Sequence, residues 1–184
     1  VCCGNTNPVV LLWLQRWQQR QGRPTTERRQ MNLTTNFSLA EMTRSDTALR
    51  LDLPNTPNQE QITNMQVLAF NVLQKVRDHF AKAVKVNSGF RHPDVNAKVG
   101  GSKTSDHCKG MAADIEISGV ANADLAQWIV DNCDFRQVIL EFYTPGIPDS
   151  GWVHVSYNPA DNKKQVLTAT KKGLKTVYLP GLVA

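Results

Sequence analysis

No apolar stretch of this chain approaches the ~20 residues needed to cross a bilayer. The longest early run, Val9 to Leu14, is too short even for the core of a signal peptide. It also lacks a basic segment before it and a small-residue cleavage site after it, so no export signal is expected. Cysteine is scarce: Cys2, Cys3, Cys108 and Cys133 provide neither a paired C-x-x-C zinc framework nor a dense disulfide scaffold. Cys108 and Cys133 read as free thiols, with a bridge between the two left open. A strong charge bias is missing as well. Of the net +5, residues 1–30 hold +4 (five arginines against Glu27), and residues 31–184 are nearly neutral. The high isoelectric point is therefore no argument for a nucleic-acid partner.

What is present is an ordinary globular composition, 41% hydrophobic and 20% charged, sized for one domain with a short appendage. Residues 1–30 differ from the rest. Trp13, Leu14 and Trp17 share one helical face and Arg16, Gln19 and Arg20 the other, until Gly22 and Pro24 end the pattern. Two turns bury little area in lipid, so a membrane-surface helix is the lesser reading. We read 1–30 as a poorly ordered basic extension and 31–184 as the domain.

Within that domain Ser38-Leu-Ala-Glu41 is a capping box that starts a short helix, and Ser45-Asp46-Thr47 starts another. Thr56-Pro57-Asn58-Gln59 predicts a helix capped by Thr56. Its apolar residues Ile62, Met65, Ala69, Val72, Leu73, Val76 and Phe80 make one buried face about five turns long. Val84–Asn87 alternates as a strand. His92–Asn96 and Gly100–Ser102 read as loops. From Met111 to Ile117, Met111, Ala113, Ile115 and Ile117 point one way, and Ala112, Asp114 and Glu116 the other. Asn122 is the expected cap of a helix to about Asn132. Strands follow at 137–143 and 152–157, and a hairpin at 165–179 turns at Lys171-Lys172-Gly173. Hairpin-linked strands beside segregated helices predict an α+β fold with a largely antiparallel sheet.

The chemistry centres on Ser105-Asp-His-Cys-Lys-Gly-Met-Ala-Ala-Asp114. A histidine before a turn glycine, an aspartate on the polar side of an apolar strand, and an isolated His154 in mid-strand form a set that a divalent metal accepts. Taken singly, Asp114 would be satisfied as well by a salt bridge, and His154 by a core hydrogen bond. His79, at a helix C-terminus, complements the dipole, and His92 reads as a solvated loop residue.

Ser105-x-His107-x-x-Gly110-x-Ala112-x-Asp114 resembles the signature of the D-alanyl-D-alanine carboxypeptidase-like zinc peptidases, a fold shared with lysostaphin-type enzymes and the hedgehog signalling domain. Asn87-Ser88-Gly89-Phe90-Arg91 is similar to the upstream Ser-Gly-Tyr-Arg element of that family. Trp152-x-His154-x-Ser156 is similar to its downstream ligand strand. Asn36–Glu41 and Ser45–Ala48 resemble the opening segment of a branch common in phages and prophages. The likeness covers about residues 36–180.

It implies one zinc ion held by His107, Asp114 and His154, with water in the fourth position, and Arg91 on a substrate carboxylate or developing oxyanion. Ser105, Asp106 and Trp152 would support the ligands from behind. The chain departs from better-known branches where a general base is expected: three residues before the last ligand stands Gly151, and the earlier position of a His-x-His pair is Trp152. Glu141 is the replacement we expect. In a bulge-free hairpin centred between Ile147 and Pro148, Glu141 pairs directly with His154, and the resembling branch also carries a Glu-Phe pair in this strand. Glu141 as an orienter of His154 stays open, and Asp149 is the second choice as base.

The implied activity is hydrolysis of a peptidoglycan stem or cross-bridge bond, as a D,D-carboxypeptidase or endopeptidase, by a monomer with no nucleic-acid partner. A protein without an export signal would reach the bacterial cell wall by release on lysis or in a phage particle. The alternative, from a different class, is a non-catalytic zinc-containing wall- or virion-associated binding module. A third, a basic nucleic-acid or membrane binder, rests only on residues 1–30.

Overall fold

The computed structural model describes residues 31–183. The expectations for residues 1–30, the extension and its amphipathic face, lie outside the described residues.

Two short helices open the domain, α1 (Leu39–Met42) and α2 (Asp46–Arg50). The hydroxyls of Ser38 and Ser45 cap them by accepting from the backbone N–H of Glu41 and Ala48. The long helix runs as α3 (Gln59–Leu68), a π-helical turn (Ala69–Leu73) and α4 (Gln74–Phe80). It starts two residues later than Thr56 predicts. Asn58 is the cap, because Asn58 and Gln61 bond reciprocally in a capping box that Thr56 lacks. Six of the seven expected apolar residues (Ile62, Met65, Ala69, Val72, Leu73 and Val76) are buried; Phe80 is half-buried and packed against the core, and Leu68 joins the buried face.

Then come β1 (Val84–Ser88), α5 (Pro93–Lys98), a 3₁₀ turn (Asp106–Lys109), β2 (Ala112–Ile117) and α6 (Asn122–Asn132). Where a loop is expected at 92–96, Pro93 sits at the first position of α5 and His92 caps it by accepting from Asp94 N–H. Asn122 is not a cap. Ala121 holds that place, and the Asn122 amide donates to the carbonyls of Ser150 and Gly151, tying α6 to the β3–β4 loop.

The last strands are β3 (Gln137–Glu141), β4 (Trp152–Ser156), β5 (Gln165–Lys172) and β6 (Lys175–Pro180). They complete a six-stranded sheet in the order β1-β2-β4-β3-β5-β6. Every pair is antiparallel except β3–β5. The fold is thus α+β with a largely antiparallel sheet, as the pattern predicts.

The strand alternation divides the two faces. Ala113, Ile115, Val138, Leu140, Val153 and Val155 are fully buried in the core shared with the long helix and α6, each larger side chain contributing ~1.5–3 kcal/mol of transfer free energy. The opposite face carries Asp114, His154 and Glu141 into an open cleft of about 1070 Å³. Cys108 and Cys133 are both free thiols, which closes the question of a bridge.

Candidate metal centre

Asp114 and His154 are direct cross-strand partners on β2 and β4, which puts their Cβ atoms ~5 Å apart on one face. On the far side of Asp114 a bulge in β1 places Ser88, rather than Asn87, opposite it. His107 arrives from the 3₁₀ turn. That turn ends at Gly110, whose backbone is left-handed (φ 72°) and whose position leaves no space for a Cβ against the Gln61 carbonyl of α3. The same helix holds the turn from below: Gln61 Nε2 donates to Cys108 O at 2.9 Å, and Asn64 Nδ2 to Lys109 O at 2.9 Å.

Three acceptor atoms converge. His107 Nδ1 lies 2.7 Å from the Gly89 carbonyl and must donate to it, so Nε2 turns its lone pair inward. That Nε2 is 3.2 Å from Asp114 Oδ1 and 3.1 Å from His154 Nδ1, which is itself 2.9 Å from the same Oδ1. All three residues are buried. Ligands on ~2.0 Å bonds in a tetrahedron lie ~3.3 Å apart, so the triangle and its N,N,O donor set fit a zinc-sized cation. Among the described residues no fourth His, Cys, Asp or Glu joins the cluster, and three protein ligands with one side open is the pattern of catalytic rather than structural zinc sites.

The supporting groups differ partly from expectation. Arg91 donates from Nη2 to Asp114 Oδ2 at 2.7 Å and from Nε to Ser88 Oγ at 2.9 Å. One of its three nitrogens therefore fixes the carboxylate and a second is held by Ser88, while Nη1 has no partner among the described residues. Burial works to raise the Asp114 carboxyl, but the facing histidines, His107 first and then His154, hold it far below the usual carboxylate range. Burial pushes the His107 imidazole below its usual value, the Asp114 charge opposing. Asp106 accepts from Arg136 Nε at 3.0 Å, and Arg136 also engages Asp161. The Ser105 hydroxyl makes no such bond among the described residues; its carbonyl does, accepting from Cys108 N–H at 3.1 Å. Trp152 lines the cleft beside His154 and meets Phe142 edge-to-face at 5.3 Å.

Glu141 lies in the cleft, half-buried, with no ion pair or hydrogen bond to its carboxylate among the described residues. Burial, then the Asp114 charge, push its carboxyl above the usual range, while His154 and Arg91 act the other way. The expected pairing with His154 is corrected: β3 and β4 pair Ile139 with His154 and Glu141 with Trp152. The connection pivots one residue earlier, where Phe142 and Gly151 are both left-handed (φ 55° and 67°) and Gly151 packs against the Glu141 carbonyl. A shift of two keeps Glu141 on the same face, now diagonal to His154 with Cβ atoms ~7 Å apart. Asp149, the second choice, is exposed and does not line the cleft. Glu116 pairs with Lys85 at 3.0 Å. His79 stacks on Trp128 at 4.4 Å, and His92 is half-buried.

Arg136, Gln61 and Asn64 were not singled out in the sequence, and Ser88 entered only as part of the motif that ends at Arg91. Only Gln61 and Asn64, three apart on the polar side of the long helix, carried a signal, and it was one that solvent-facing residues share.

An α+β domain with a buried His-Asp-His cluster at the floor of an open cleft has the donor set of a zinc hydrolase. The family described as Peptidase M15 matches residues 35–156, and the chain belongs to that family of D-alanyl-D-alanine carboxypeptidase-like zinc peptidases. No curated protein matches the chain.

Proposed function

We propose that the protein is a zinc-dependent peptidoglycan peptidase that hydrolyses a peptide bond of the stem or cross-bridge, with D,D-carboxypeptidase or endopeptidase chemistry. The observation that carries this reading is the convergence of three acceptor atoms within 2.9–3.2 Å of one another beside an unpaired, half-buried carboxylate. His107 Nε2, Asp114 Oδ1 and His154 Nδ1 hold the zinc ion, which supplies a Lewis acid and a water of lowered pKa when bound.

The remaining work falls to the chain. Glu141 takes a proton from the attacking water and returns it to the leaving amine; its raised pKa brings it nearer the neutral range where a base is efficient. Arg91, anchored at Nε by Ser88, steadies Asp114 through Nη2 and offers Nη1 to a substrate carboxylate or the developing oxyanion. Asp106 and Arg136 lock the turn that presents His107. The three-ligand arrangement favours an enzyme over a binding module, which would need a closed site. The site of action is the bacterial cell wall.

The test is lysis of purified cell walls by protein stripped with a chelator and then given zinc. Loss followed by recovery supports the reading; full activity of the stripped protein sinks it.

A further inference from the structure

Past Glu141 the cleft continues onto the β5–β6 hairpin, which lies beyond the last residue of the family match at 156. Phe142, the residue after Glu141, is in the left-handed region at φ 55°. For a bulky aromatic this is a strained conformation and marks a position that its surroundings enforce. Its N–H donates to Ala169 O at 2.8 Å. The ring so placed has Trp152 at its edge and the Lys171 ammonium over its face, 5.0 Å from the centroid.

Lys171 Nζ donates to Thr176 Oγ1 at 3.1 Å. Among the described residues no carboxylate pairs with Lys171, and of the lysines without an ion pair it alone lines the cleft. Tyr178 stands in the same cross-strand row as Glu141, with the small, buried Ala169 between them. Phe142, Lys171, Thr176 and Tyr178 all line the cleft.

We propose that this corner is a subsite for a carboxylate-bearing residue of the substrate peptide. The ammonium takes the carboxylate, and the Phe142 and Tyr178 rings take its aliphatic stem. The aromatic face and the Thr176 hydroxyl position the Lys171 ammonium, so a carboxylate arriving there makes a charge-assisted hydrogen bond. Glu141 repels the same carboxylate from the catalytic side, which fixes where along the cleft the acidic residue sits. The identity of the substrate as a peptide rests on the peptidase reading above.

The experiment compares stem peptides that differ only in having one carboxylate, each in turn, free or amidated, and takes kcat/KM for each pair. The wild-type protein prefers one free carboxylate by ~10-fold or more, the size of a hydrogen bond to a charged group. Lys171→Met, which keeps the stem packed on Phe142, brings that ratio close to unity, and Lys171→Arg retains it. An unchanged ratio in Lys171→Met, or no preference at any position in the wild type, overturns the subsite. Should the wild type cut none of the peptides, the peptidase reading falls. Calorimetric binding of the same pairs then decides the subsite alone: a preference lost in Lys171→Met supports it, and equal binding overturns it.

Discussion

On the β1–β2–β4 half of the sheet the charged groups of the site are tied to one another, whereas on the β3–β5–β6 half Glu141 and Lys171 face the cleft with no ionic partner among the described residues. Asp114 has both carboxylate oxygens engaged, one by two histidines and one by Arg91. His107 is held at its other nitrogen by the Gly89 carbonyl. Such closure suits a metal, whose ligands must not move. Open groups suit a substrate, which must come and go. On the function proposed above, the first half would supply geometry and the second turnover and selectivity.

Breaking the closed half should have the largest effect. Asp114→Ala removes a ligand and leaves Arg91 in a mostly buried position without its partner, a situation that costs ~3–5 kcal/mol. Zinc content by atomic spectroscopy should fall to background, with no wall lysis and a lowered melting temperature. A variant that keeps stoichiometric zinc contradicts the ligand assignment.

Glu141→Gln sharpens the contrast from the other side. It should retain zinc and melt like the wild type while losing ~100-fold or more in turnover. Since the base must be ionised and its carboxyl is pushed up by burial and by Asp114, wild-type activity should climb with pH through a limb above the ordinary glutamate value of ~4.3. Unchanged turnover in Glu141→Gln removes the residue from the mechanism.

Arg91→Met tests a supporting contact in the closed half. Zinc affinity should weaken ~10–100-fold in competition with a chromophoric chelator, and an unaltered affinity would mean that Asp114 needs no second hold. The smallest effect concerns the metal-free protein. His107 is buried and resists protonation, so its folded pKa lies below the unfolded one. Stability is then intact above ~6.5 and declines as pH falls below it, because the unfolded chain gains the proton first. Melting curves between pH 7.5 and 5.5 should show the decline, and bound zinc should suppress it; a melting temperature flat across that range contradicts it.

The closed half was also the more legible in sequence. His107, Gly110 and Asp114 sit within eight residues, and the alternation of 111–117 assigns Asp114 to the polar face without knowledge of any partner. The long helix was equally plain, since seven apolar residues at helical spacing leave one way to bury them. Its π-helical turn and its Asn58 cap were not; the cap is decided by reciprocal hydrogen bonds between Asn58 and Gln61 that no propensity pattern displays.

The open half depends on register across a ten-residue loop, and counting from a loop's midpoint assumes a regular turn. Left-handed Phe142 and Gly151 displaced that midpoint by one residue and the pairing by two. The face survived because strand periodicity is two; the partner did not. Neither the Arg91–Asp114 bond nor the Lys171–Phe142 contact leaves a local pattern, since each joins residues more than twenty positions apart.

Mass spectrometry of the soluble products from purified peptidoglycan tests the central claim most directly, with the zinc-loaded and the chelator-stripped protein run side by side. The account predicts that the zinc-loaded protein alone releases products, each ending at one and the same stem or cross-bridge peptide bond. Identical products from the stripped protein, or intact peptides from both, would contradict it.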